Sequence, residues 1–110
     1  MDENIKNLIT EVKTGASPGP GRLAEIGVEL AGYYANLAEE YSQLEVEYPA
    51  LWSELRRDYK TDKATDMAYS ATGSGMRMTK LKWQLRYIDK TTASINRLLR
   101  VKETEARNQF

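Results

Sequence analysis

Residues 67–99 read MAYSATGSGMRMTKLKWQLRYIDKTTASINRLL, and the positions Met67, Ala71, Ser74, Met78, Leu81, Leu85, Ile88, Thr92, Ile95 and Leu99 follow one another in alternating steps of four and three. That spacing approximates the 3.5-residue repeat that keeps one stripe of a helix against a partner helix. Upstream, Leu23, Ile26, Leu30, Tyr33, Leu37, Tyr41, Leu44, Tyr48, Leu51 and Leu55 carry nearly the same repeat. Between the two runs lies the polar YKTDKATD of residues 59–66, in which Thr65 and Asp66 are good capping types directly before the second period. The pattern predicts an antiparallel, coiled-coil-like hairpin with helices over about 22–58 and 66–103. Pro49 falls inside the first run without shifting its phase. An interior proline deletes a hydrogen bond and costs about 3 kcal/mol, so a kink, or a break and restart, is expected at Tyr48 and Pro49. Lys102 interrupts the second stripe, and the tail beyond it is expected to fray or dock elsewhere.

The N-terminal segment places Ile5, Leu8, Ile9 and Val12 on one face, which predicts a short helix within residues 1–13. TGASPGPGR then excludes regular structure and predicts a hinge at 14–21, with Pro20 suited to the first turn of the next helix. The hairpin domain is expected to occupy 22–110. A two-helix seam leaves apolar surface uncovered, so a homodimer forming a helical bundle is expected.

Gly73-Ser74-Gly75 interrupts the strongest helical period. Because the phase matches on both sides, the simplest reading is a continuous helix with small residues at a close approach or kink, and a local break is the alternative, since each glycine costs about 1 kcal/mol relative to alanine. A phosphate loop would need Lys and then Ser or Thr after the second glycine, and a preceding strand. Here Met76-Arg77-Met78 comes next.

At 110 residues, with 41% hydrophobic and 29% charged residues, the chain has the composition of a single globular domain. It contains no cysteine and no histidine, which excludes disulfides, thiolate chemistry, soft-metal sites and the commonest general base. Glu39-Glu40 and Glu45/Glu47 are read as a solvated helix face, and no serine or threonine has a histidine to activate it. Neither an enzyme nor a cofactor or metal is expected. The longest apolar runs fall far short of the roughly 20 residues of a membrane span, and MDENIKNLIT lacks a signal pattern, so a cytoplasmic protein with no membrane partner is expected.

The formal net charge is zero, but it is unevenly placed. Residues 22–59 hold eight acids against three bases, a net of −5, and residues 77–107 hold nine bases against three acids, a net of +6. The basic set (Arg77, Lys80, Lys82, Arg86, Lys90, Arg97, Arg100) either neutralises nucleic-acid phosphates or pairs with the acidic helix of the same fold. The acidic helix, for its part, could mimic nucleic acid. Trp83 and Tyr87, at i and i+4 beside the Leu81/Leu85/Ile88 seam and surrounded by Lys80, Arg86 and Lys90, either pack on the short first helix or a second copy, or anchor a foreign partner. Trp83, Tyr87, Arg86 and Lys90, with Arg77 and Lys80 adding charge, form the candidate partner-binding surface.

Residues 66–110 also resemble the C-terminal part of small, uncharacterised helical proteins of tailed bacteriophages. The likeness rests on Ala68-Tyr69, Ala71-Thr72, Gly75, Leu81-Lys82-Trp83, Leu85 and the ending Glu105 to Phe110. It covers under half of the chain, includes no catalytic motif and carries over no functional residue. The resemblance implies an early phage gene near recombination or single-strand-binding functions, or an accessory that counters a host defence such as CRISPR, acting in the host cytoplasm. The expected function is non-catalytic binding of a protein, inhibition of a host nuclease or defence complex being the sharper form. The alternative is a nucleic-acid-binding accessory of phage recombination or replication.

Overall fold

The structure, a computed structural model, describes residues 2–14 and 18–108. Among them there are four helices and no strand: α1 Glu3–Lys13, α2 Pro20–Arg56, α3 Asp62–Ala71 and α4 Gly73–Asn108. The all-α class and the long helices match the periodicity. Residues 15–17 of the expected hinge lie outside the described residues.

Each boundary has a local cause. Asp2 caps α1 by accepting the Asn4 N–H at 2.7 Å, while the Thr14 N–H closes the other end on the Thr10 carbonyl. α2 begins at Pro20, where the missing N–H has no helical partner to lose. It runs without interruption through Pro49, so the expected break and restart there does not occur. At its end the Arg56 guanidinium donates to Asp62 Oδ1 at 3.0 Å and to the Tyr59 carbonyl, fastening the turn into α3.

The single helix expected over 66–103 is two helices. Its start is set by Thr61, whose hydroxyl accepts the Ala64 N–H at 3.1 Å, and not by Thr65 or Asp66. Thr65 is instead fully buried within α3, donating to the Thr61 carbonyl. The chain leaves helical geometry at Thr72 (φ −71°, ψ 161°). There the hydroxyl donates to the Tyr69 carbonyl at 2.6 Å and accepts the Gly75 N–H at 3.1 Å, so one side chain closes α3 and opens α4. The break changes the buried face. In α3 it is Thr65 and Tyr69 that are buried, while Met67 and Ala71, on the expected seam, are exposed. From Met78 onward the α4 seam is as expected. α4 also continues to Asn108, past the expected end at 103, because Glu, Ala and Arg sustain a helix without needing a packed stripe.

The described chain divides into two compact units. The first comprises residues 1–35 and 85–110 and packs Ile5, Leu8 and Ile9 of α1 with Leu23, Ile26 and Leu30 of α2 and Ile88 and Ile95 of α4, all buried. A Cβ added at Gly27 would meet Ile95 Cγ2 at 4.0 Å, ordinary packing distance between α2 and α4. The second comprises residues 36–84. Here Tyr69 is buried edge-on against Tyr48, ring centroids 4.8 Å apart, and its hydroxyl donates to the Met78 sulfur at 3.0 Å. Burial pushes the Tyr69 phenol above its ordinary pKa. Trp52 Nε1–H donates to Asp66 at 2.8 Å, and Thr65, Leu81 and Gln84 are also buried. In each unit a third helical segment, α1 or α3, lies on the two-helix seam. The uncovered apolar surface that suggested a dimer is thereby reduced.

Gly75 marks the tightest point. An added Cβ would lie 2.8 Å from the Tyr69 carbonyl carbon and 2.9 Å from Ser70 Cα, with the Tyr69 oxygen nearer still, whereas at Gly73 it would meet nothing within 4 Å. Gly75→Ala is therefore expected to force backbone apart and destabilise by about 2 kcal/mol or more, lowering the melting temperature by roughly 10 °C. Gly73→Ala should leave it unchanged or raised. Thermal melts followed by helical circular dichroism distinguish the two.

Candidate functional site

α4 carries every residue of the candidate surface. In the second unit, Arg77 is committed to structure: its guanidinium holds Glu40 of α2 in a two-point pair at 2.7 and 2.8 Å. This lowers the Glu40 carboxyl pKa. Lys80 and Trp83 of the same unit are exposed, Trp83 to 52%. In the first unit, Arg86, Tyr87 and Lys90 are likewise exposed, Tyr87 to 42%.

The structure brings Tyr87 and Lys90 together with residues of α1. Lys13, at the end of α1, places its ammonium 5.7 Å from the Tyr87 ring centroid, a cation–π contact. Tyr87 therefore does pack on the first helix, one of the readings open from sequence, while keeping much of its surface in solvent. Beside this contact, α1 and α4 enclose a groove of about 530 Å³. Its cations are Lys13, Lys90 and Arg97, and its apolar walls include Val12 and Val101. Leu98 also lines it, and among the described residues no carboxylate does. Arg77, Lys80, Trp83 and Arg86 are not among its lining residues.

Sequence reasoning left open that Tyr87 packs on α1 but did not place Val12 or Lys13 on the candidate surface. Lys13 and Val12 sit seven and more residues before the second helix begins, and nothing in their spacing links them to Tyr87. The amphipathic stripe of α1 was the available signal, because burying Ile5, Leu8 and Ile9 turns the flank bearing Val12 and Lys13 toward α4.

Electrostatics position that wall. Arg22, in the first turn of α2, donates through Nε and Nη2 to the Glu11 carboxylate at 2.5 and 2.8 Å, and through Nη1 to Glu25 at 3.3 Å. These bonds hold the Glu11 carboxyl below its usual pKa. Elsewhere α2 and α4 carry opposite net charge. Glu40–Arg77 joins these helices, whereas Lys80, Lys82, Lys90, Arg97 and Arg100 have no ion pair among the described residues. Among the described residues no group of three or more Asp or Glu converges as a metal site, and no helix is long and apolar enough to cross a membrane. Searches against protein-family models, curated proteins and solved structures find no match to the chain.

The Glu11–Arg22 pair makes a pH prediction. With its folded pKa below the unfolded value, near 4.5, Glu11 contributes stability that is present above that value and lost as pH falls through the folded pKa. Both side chains are about two-fifths exposed, so the effect is small. Glu11→Gln is expected to melt slightly below wild type at neutral pH, the gap closing as the pH falls below 4.5 and through the folded pKa of Glu11. Calorimetric melts across that range measure it.

Proposed function

We propose that the protein is a non-catalytic binding module that uses the exposed, cationic side of α4 to engage an acidic partner protein. The observation that carries this reading is that most of the positive charge of α4 is not consumed within the fold: seven of its nine cations, Lys80, Lys82, Lys90, Arg97, Arg100, Lys102 and Arg107, lack any ion pair among the described residues. Exposed charge of one sign steers and selects a partner of the other sign, and aromatic side chains such as Tyr87 and Trp83 supply contact area at low entropic cost. In its sharper form, drawn from the likeness of residues 66–110 to phage proteins, the partner is a host nuclease or defence complex, CRISPR machinery included, which the module inhibits by occupying it.

The same unpaired cations favour a second reading, a nucleic-acid accessory of phage recombination or replication, in which they would neutralise phosphates. The two differ in salt dependence. Fluorescence anisotropy with labelled single- and double-stranded DNA and RNA, across a salt series, is expected to give only weak, non-specific association at physiological salt, with dissociation constants no tighter than about 10⁻⁶ M. Tight binding that falls steeply with salt, and disappears in an Arg86→Ala/Lys90→Ala variant, would replace the protein-binding reading by the nucleic-acid one.

A further inference from the structure

We infer that the groove between α1 and α4 is the docking site for an acidic amphipathic helix of the partner protein, an inference that rests on the protein-binding reading above. Its charge is complementary to such a segment. Among the described residues, Lys13, Lys90 and Arg97 line it, no carboxylate does, and none of the three is ion-paired. Lys90 and Arg97 are two turns apart on α4, so they stand about 10 Å from each other along the helix axis. Carboxylates at the same i, i+7 spacing on a docked helix match them, and Lys13 answers from the opposite wall.

Shape and floor agree with the charge. From Tyr87 to Val101 the lining of α4 extends about 21 Å at 1.5 Å per residue, a trough the length of roughly four helical turns. Its apolar part is mostly aliphatic, from Val12, Leu98 and Val101, the kind of surface that takes Leu and Ile side chains at i, i+3 and i+4 of a bound helix. Stacked bases find less there. The one aromatic ring of the groove among the described residues, Tyr87, already has the Lys13 ammonium over it.

The test is a display selection of peptides about 16 residues long, four turns of helix, on the immobilised full chain, with affinities then measured for wild type and for a Lys90→Glu/Arg97→Glu variant. Both side chains are exposed, so the variant should keep the wild-type melting temperature. The expected result is enrichment of peptides that combine an apolar helical stripe with flanking Asp or Glu. They should gain helicity on binding and lose at least about ten-fold in affinity for the variant, with Asp/Glu→Lys versions recovering binding to it. Enrichment of peptides without acids, unchanged affinity for the variant, or no enrichment would overturn the groove assignment. Acidic peptides lost to Lys80→Glu or Trp83→Ala but not to the groove variant would overturn the groove alone and leave the protein-binding reading standing. Loss of that reading shows separately, as steep salt-dependent nucleic-acid binding.

Discussion

The packing of the second unit depends on one contact, the approach of the first turn of α4 to the Tyr69 carbonyl at the end of α3. It is possible only because position 75 has no Cβ, and it is held because the Thr72 hydroxyl serves both helices at once. Ending α3 there lets the chain bury Thr65 and Tyr69 on one side of the break and Leu81 on the other, a change of face that an unbroken helix cannot make. The pair of glycines is thus divided in role: Gly75 is sterically required, and Gly73 is not.

A second consequence concerns charge. Aligning an acidic helix with a basic one suggests mutual neutralisation, yet a helix that buries its apolar stripe presents most of its charged residues sideways or outward. Arg77 reaches across to an acid of α2, and the fold places other well-formed pairs where segments turn: Glu11–Arg22 between α1 and α2, and Arg56–Asp62 between α2 and α3. The functional proposal rests on this division. Apolar residues of α4 build the core, and most of its lysines and arginines remain in solvent, with the groove beside α1 the place where positive charge and aliphatic surface coincide.

Much of the fold was legible in the sequence because periodicity reports burial directly. The seam of α2 from Leu23 to Leu55 and the α4 stripe from Met78 to Leu99 are buried or half-buried at every named position. What was not legible has physical causes. Phase matching across 67–78 could not reveal the break, since Ala71 and Ser74 fit a seam by size alone and the decisive fact, a threonine capping both ways, is a property of hydroxyl geometry. Thr65 looked like a cap and is a core residue, because Thr61 four positions earlier holds the same chemistry at the true boundary. Of the candidate surface, Tyr87 and Lys90 line the groove, whereas the contribution of Val12 and Lys13 depends on tertiary packing that no local spacing encodes.

The central claim, that the charges of α2 and α4 do not neutralise one another, is tested most directly by the melting temperature of the full chain as sodium chloride is raised from about 10 mM to 300 mM, a range over which the Debye length falls from about 30 Å to below 8 Å. If like charges along each helix stand largely unpaired, screening relieves their repulsion and the melting temperature rises with salt. A melting temperature that falls over the same range would show that attraction between the helices is being screened, and would contradict the account.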